Sequence, residues 1–497
     1  MRGLRAPALS PSVNDVEGFL PTRSSEDRKS LPASGILTRV KSTRPTVSPA
    51  RAAAFDILIR IERESSYASE LLHSRTYDRL TTIDHALATE LVMGVLRWRS
   101  LLDTEIAGSS AQPLAKLDLE VLTALRLALY QLRWLRVPPR AAINESVELV
   151  KRARKRSAAP FANAVLRKLS RTTETIPTIN NASAETLALS SAHPLWLVER
   201  WVQAYGLVAG FRICQHDQSI PVTAIRFRNS DEQAKVEDEI RAEGVELAPG
   251  ALLSSARQVR HGDITKTAAF RAGLCMIQDE ASQLVASLVG QGTHILDCCA
   301  APGGKTAAIS DANPQADIVA VDLHPHRARL LKRLLSLDHS AAGGTSRNIS
   351  VLAADARNLS LAGKFDRVLA DVPCSGTGTL ARNPEIKWRL VSENLTDLQT
   401  RQMAILGSAM AQVASGGRVI YSTCSLEKEE NDDVIARCLE ENQSFRIVDC
   451  RIELERVTRE GTLIWPDLPS LTRGQYLRTL PGIHPCDGFF AAVLEKV

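Results

Sequence analysis

The sequence reads as an α/β protein: its C-terminal part is a doubly wound, mostly parallel sheet, preceded by an all-helical domain and a small α+β unit. Three observations carry that reading. Short β-branched apolar runs, "HILDCC", "DIVAVDL", "ISVLAAD", "FDRVLADV" and "GGRVIYST", alternate with helical segments such as "HRARLLKRLLSL" and "LTDLQTRQMAILGSAMAQVAS". Upstream, apolar residues recur at helical spacing with no strand pattern between them. A Thr/Asn/Ser-rich stretch, "TTETIPTINNASAET", divides the two regions as a linker.

Taken in order, residues 1–47 are rich in Ser, Pro, Thr and charge and read as a disordered leader. Residues 48–175 read as the all-helical domain. Pro49 suits a first helical turn, Phe55, Leu58 and Ile59 share a face, and Leu87, Leu91 and Val95 recur every four, as do Leu125, Leu129 and their neighbours Leu122 and Leu132. The last two helices carry Lys151, Arg152, Arg154 and Lys155, then Arg167, Lys168 and Arg171. That run is either a solvated face or a surface for phosphates. Residues 185–270 read as the α+β unit: "HPLWLVERWVQAYG" is helical, "VTAIRFRN" a strand and "VEDEIRAEGVEL" a helix. Residues 271–497 hold the alternating part.

Composition narrows the function. With 497 residues and 44% hydrophobic content the chain can bury a sizeable core, and its net charge of +5 leans only mildly toward anionic partners. The nine cysteines form no CxxC pair, so no metal site is expected, and the scatter suits a reducing cytoplasm in which thiols stay free. No apolar run reaches membrane-spanning length, and the opening "MRGLRAPALSPSVNDVEGF" lacks the core of a signal peptide.

The stretch "LDCCAAPGGKT" ends a strand, turns through glycines and opens a helix. A phosphate-binding Walker loop needs a glycine where Cys299 stands, and the dinucleotide fingerprint lacks its third glycine. What remains is a glycine turn with acidic residues at successive strand ends, Asp322, Asp355 and Asp371. Asp322 is placed to accept hydrogen bonds from ribose hydroxyls and Asp355 to meet an adenine. S-adenosylmethionine (SAM) fits such a site, having adenine, ribose and a cationic sulfonium but no phosphate.

Two further segments, "ADVPCSGTGTLARNPEIKW" and "YSTCSLEKEEND", each put a cysteine just past a strand end. Carbon 5 of a pyrimidine is a poor nucleophile toward a methyl sulfonium. A thiolate adding to carbon 6 makes an enamine whose carbon 5 can attack, an acid at N3 helps, and loss of the carbon 5 proton expels the thiolate. A cysteine, an acid and a SAM site are what such a reaction requires.

The segments "CAAPGGKT", "DVPCSGTGTLARNPEIKW", "YSTCSLEKEEN", "IQDEASQL" and "HPCDGFFAAVLEK" resemble the RNA 5-methylcytosine methyltransferases of the Nol1/Nop2/Sun family. "AINESVELVK" and "FANAVLRKL" resemble the NusB-like RNA-binding domain, and the fusion is typical of the group acting on small-subunit ribosomal RNA. The resemblance spans residues 48 to 497. It implies a Rossmann-like SAM-dependent domain over 271–497, an RNA-binding linker unit over 185–270 and a cytoplasmic, monomeric enzyme acting on unassembled 16S ribosomal RNA. It assigns the nucleophile to Cys424, product release to Cys374 and a base-facing role to Asp371. It lines the SAM site with Cys299, Ala300, Ala301, Pro302, Gly303, Gly304, Lys305, Asp322, Asp355 and Asp371. Lys305 then meets the methionine carboxylate or the substrate, and Arg382 and Lys387 join Lys151, Arg152, Arg154 and Lys155 in holding RNA; Trp388 is equally suited to a core. Cys298 reads as packing. Two other readings stand beside this one: the same chemistry on another RNA such as transfer RNA, and a non-catalytic RNA-binding or antitermination factor.

Overall fold

The computed structural model describes residues 47–64, 66–172, 178–228, 232–336 and 348–497. The expected leader, Val47 aside, and residues 173–177 of the expected linker lie outside them.

The helical domain comprises Pro49–Glu64, Thr82–Arg97, Arg99–Ser109, Leu119–Trp134, Pro139–Arg152 and Ala159–Leu169, with shorter turns between. The residues expected to share a face do so: Phe55, Leu58, Ile59, Leu91, Val95, Leu125 and Leu129 are buried in one core. The segment "DHALATELVMGVLRWRSLLD", read as one helix, is two, because the chain turns at Trp98, which packs against Trp134 with ring centroids 5.1 Å apart.

Three helices follow, Ala184–Ser190, Leu195–Tyr205 and Leu207–Asp217, and then a four-stranded sheet. Its strands are β1 (Thr223–Phe227), β2 (Glu246–Pro249), β3 (Ala256–His261) and β4 (Cys275–Ile277), in the order β2-β3-β1-β4. The sheet thus runs past residue 270, because β4 is too short to show an alternating pattern yet completes the pairing of β1. The helix expected through "VEDEIRAEGVEL" stops at Ala242. Gly244, at φ 84°, turns the chain, and its last residues enter β2.

The larger sheet contains β5 (His294–Asp297), β6 (Asp317–Asp322), β7 (Ile349–Ala353), β8 (Phe365–Asp371), β9 (Val413–Thr423), β10 (Phe445–Val448), β11 (Thr472–Arg473), β12 (Tyr476–Arg478) and β13 (Phe490–Lys496). Among the described residues its order is β11-β12-β13-β9-β8-β5-β6-β7, with β10 on β13. The five strands expected from the sequence are its parallel centre. The antiparallel strands beside them were not anticipated.

Alternation along the strands divides the two faces. Ile295, Leu369 and Ile420 point into one core with the helices Glu280–Leu288 and Cys450–Arg459. Leu296, Val368, Ala370, Val419 and Tyr421 point into another with Asn394–Gln412 and Asp432–Glu441. Helices on both faces make the sheet doubly wound. The chain runs from β5 outward to β7 and returns to the other side of β5 as β8, so the strand order reverses between β5 and β8. Ligands of such sheets bind at that point, beyond the carboxyl ends of the strands. No described helix is long and apolar enough to cross a membrane.

The segment "RNPEIKW" fastens the catalytic-side sheet to the helical domain. Trp388 Nε1 donates to the Leu96 carbonyl at 2.7 Å, Arg97 donates to the Ala381 carbonyl at 3.0 Å, and Lys387 Nζ donates to the carbonyls of Arg97 at 3.0 Å and Ala192 at 3.1 Å. Trp388 is therefore core.

Candidate active site

The loop after β5 forms the floor of a cavity of about 450 Å³ at the strand-order reversal. Cys298 and Ala300 extend the pairing past the strand end, donating to the carbonyls of Leu369 and Val321 at 2.9 and 2.8 Å. Gly303 then turns at φ 117° into the helix Gly304–Ala312, and a Cβ there would lie 2.7 Å from Leu331. Cys299, Ala300, Ala301, Pro302, Gly304, Lys305 and Asp371 line the cavity. Asp322 ends β6, buried, with Oδ1 accepting from the His324 amide at 2.8 Å. Asp355 does not reach this cavity. Its carboxylate caps the turn at Ala356–Asn358 and pairs with Arg357 at 2.6 Å, on the edge strand's side.

The floor also holds a residue that the sequence reading missed, Asp297. It is 1% exposed, Oδ2 accepts from Thr306 Oγ1 at 2.7 Å, and Oδ1 has no hydrogen-bond partner. Burial pushes its carboxyl up to about 7. An unpartnered acceptor on the wall of a cavity calls for a donor or cationic ligand group. The methionine end and sulfonium of SAM meet that requirement.

Across the cavity, Lys305 does not stand free. Its Nζ lies 2.7 Å from Asp371 and 5.0 Å from the centre of the Phe489 ring. Burial opposes its charge, but the Asp371 carboxylate outweighs burial and holds the ammonium above its ordinary value. Asp371 also accepts from Ser422 Oγ at 2.7 Å.

Cys374 and Cys424, on the loops after β8 and β9, approach to 3.3 Å between sulfurs. Three loops must crowd together for this. Gly378 donates to the Cys424 carbonyl at 2.9 Å and Gly488 donates to the Gly378 carbonyl at 2.8 Å. A Cβ on Gly378 would lie 2.1 Å from the Gly488 carbonyl oxygen, so only glycine permits the packing. The hydrogen bond with Cys424, followed by burial, raises Cys374 well above an ordinary thiol. At this distance one sulfur can donate a hydrogen bond to the other. Burial raises both cysteines of the glycine loop; Cys298 is packed in the core, while Cys299 lines the cavity.

Beneath both loops lies Glu430, fully buried. It accepts from the Ser375 amide at 2.7 Å, from Ser375 Oγ at 2.5 Å, from Gln402 Nε2 at 2.9 Å and from Ser425 Oγ. Ser375 follows Cys374 and Ser425 follows Cys424, so one carboxylate braces both thiols.

The residues expected to hold RNA fare differently. Lys387 is 1% exposed and bonded to two carbonyls, with its ammonium pushed down to about 7 by burial. It cannot reach a phosphate, because the fold has spent it on the interface with the helical domain. Arg382 lines the cavity but donates to Asp487 at 2.8 Å and Asp279 at 3.1 Å, which commits its guanidinium to two buried carboxylates. Lys151, Arg152 and Lys155 do lie at the surface, paired with Glu148, Asp56 and Asp118, and Arg154 is exposed. Exposed pairs of this kind are weak enough for a phosphate to displace. Among the described residues no group of three or more His, Cys, Asp or Glu side chains is arranged to hold a metal.

Residues 287–495 match the family model described as 16S rRNA methyltransferase RsmB/F, and residues 48–171 match that of the NusB family. A probable ribosomal RNA small subunit methyltransferase B of Bacillus subtilis (strain 168) is 32% identical over 460 residues, 90% of this chain and 98% of that one. The ribosomal RNA small subunit methyltransferase B of Escherichia coli O157:H7 (strain EC4115) is 31% identical over 83% of this chain and 91% of its own. The crystal structure of PH0851 has a TM-score of 0.73 at 22% identity, covering 91% of this chain and all of that one, a likeness of fold.

Proposed function

The chain belongs to the RsmB/F family of SAM-dependent ribosomal RNA methyltransferases, and from that premise we propose that it methylates carbon 5 of a cytosine in 16S ribosomal RNA through a covalent bond between Cys424 and carbon 6. The observation that carries the reading is the pair of thiols 3.3 Å apart, beside an acid–ammonium pair and a cavity suited to SAM.

In this reaction the Cys424 thiolate adds to carbon 6, and the electron pair of the 5,6 double bond becomes available at carbon 5. The Lys305–Asp371 pair, braced by Ser422, passes a proton to N3, which offsets the negative charge that gathers there as the thiolate adds. SAM supplies the electrophilic methyl, which the carbon 5 electron pair takes. The carbon 5 proton is then lost to solvent water, N3 returns its proton to the Lys305–Asp371 pair, the double bond re-forms, and the Cys424 thiolate leaves, with Cys374 assisting release. One hydrogen has been exchanged for one methyl, and one proton is released. Cys299 to Lys305, with Asp322 and Asp371, hold SAM in this scheme, while Lys151, Arg152, Arg154 and Lys155 meet RNA. The enzyme acts as a cytoplasmic monomer on RNA not yet assembled into a subunit.

The test is transfer of labelled methyl from SAM to an unmodified 16S transcript, with the modified base located by bisulfite sequencing. Cys424→Ala should abolish transfer. Full activity in that variant would overturn the nucleophile, and transfer to transfer RNA instead of 16S RNA would overturn the substrate.

A further inference from the structure

A second cavity reaches the thiol pair from the direction of the helical domain. It measures about 270 Å³ and is lined by Cys374, Ser375, Arg389, Asn394 and Arg401 together with Tyr67. Cys424 lines the first cavity, so the two cavities meet where the sulfurs touch.

Tyr67 is unusual for an aromatic residue in that it is 43% exposed yet firmly held. The residues on either side are both gripped by the "RNPEIKW" region: the Ser66 carbonyl accepts from Arg389, and the Ala68 amide donates to Glu385 Oε1 at 2.8 Å. Glu385 is itself 1% exposed. The Arg389 guanidinium sits 5.7 Å from the ring centre. Residues from two domains therefore position one ring over a cavity instead of burying it. Further along the same wall, Arg401 is exposed, and among the described residues it makes no ion pair.

An aromatic face and a free guanidinium beside a nucleophile are the elements that bind an unstacked base and its phosphate. We propose that Tyr67 and Arg401 form a second base subsite for single-stranded RNA, which takes the nucleotide next to the cytosine attacked by Cys424. The helical domain thereby completes the active site and does more than tether the substrate. This rests on the reading of the thiol pair as acting on RNA.

The probe is an oligocytidylate decamer, which can fill the target position and its neighbour at once without knowledge of the natural site. Its binding to the full chain is followed by fluorescence anisotropy. Tyr67→Ala should raise Kd about 5- to 150-fold, the range found when an aromatic stacked on one base is removed. Tyr67→Phe, which keeps the ring, should restore the affinity to within about twofold, and both variants should unfold at the wild-type temperature. Arg401→Gln should weaken binding and flatten its salt dependence. Unchanged Kd in Tyr67→Ala, or no measurable binding of the decamer by the wild type, overturns the subsite. Loss of methyl transfer to every RNA by the wild type, with the Tyr67 effect on binding intact, would instead overturn the proposed reaction and leave the subsite standing.

Discussion

The sulfurs of Cys374 and Cys424 lie 3.3 Å apart although fifty residues separate them in sequence. They sit on the loops that follow the adjacent parallel strands β8 and β9, whose carboxyl ends project those loops into the same space. At this distance the two thiols act as a unit, one donating a hydrogen bond to the other. If Cys374 assists release, its loss stalls the reaction after methyl transfer. Cys374→Ala should therefore accumulate protein joined to RNA, seen as a band that survives denaturing electrophoresis, with turnover lower by about 10²–10⁴-fold. The double variant with Cys424→Ala should show no such band.

Glu430 is the support of that pair, and its removal should be felt as loss of order at the thiols. Glu430→Ala leaves the Ser375 amide without an acceptor and the Ser375 and Ser425 hydroxyls with only each other and Thr377, while Gln402 keeps the Pro373 carbonyl, a cost on the order of 3 kcal/mol in this buried site. Glu430→Gln keeps the shape and some of the acceptor capacity. It should fold nearly as well as wild type, yet lose activity about tenfold in kcat with little change in KM for RNA. The pH dependence of Cys alkylation by iodoacetamide should shift as well, which a purely structural support would not cause.

How far the sequence revealed these features depends on the kind of contact involved. The parallel strands were legible because their apolar runs end in Asp or Cys, and strand ends in such sheets point to ligands. Cys374 and Cys424 were legible from the turn-rich motifs around them. Glu430 was hidden inside "LEKEEND", where three glutamates look alike until tertiary packing buries Glu427 and Glu430. Lys387 misled for the converse reason: within "RNPEIKW" it resembles a phosphate ligand, and only the neighbouring domain shows its ammonium meeting two carbonyls. Tyr67 carried no signal, since its place in the site depends on a contact between segments more than three hundred residues apart. Strands β10 to β12 escaped notice because antiparallel strands of two to four residues show little alternation, and β13 because its run of apolar residues does not alternate.

Asp297 gives the protein a distinctive pH response. Its carboxyl is raised by burial to about 7, so between about pH 4 and 7 the folded chain binds a proton that the unfolded chain has lost. The contribution of this group to stability is accordingly present at low pH and falls as pH rises toward 7. Asp297→Asn should remove that decline, so the difference in Tm between variant and wild type should grow from pH 5 to pH 8. At about 1.4 kcal/mol per pKa unit, the gain at pH 8 is at most about 4 kcal/mol. SAM binding should move the opposite way: the ionised carboxylate attracts the cationic ligand, so wild-type affinity should rise from pH 6 to 8 while the Asn variant stays flat, as read by calorimetric titration.

Surface and buried cations should separate cleanly in their salt dependence. Each Lys or Arg that meets a phosphate releases counterions, so its loss lowers the slope of log K against log salt by about 0.7 to 0.9. Replacing Lys151 and Arg152 by Gln should reduce that slope for 16S RNA by about 1.4 to 1.8, at nearly unchanged Tm, because both side chains are exposed and their pairs with Glu148 and Asp56 contribute little. Lys387→Met should do the reverse. It strips the donor from the Arg97 and Ala192 carbonyls at a cost of about 1–3 kcal/mol, and leaves the salt slope as it was. A reduced slope in Lys387→Met would mean that the ammonium reaches RNA after all, which requires the helical domain to part from the catalytic sheet on binding.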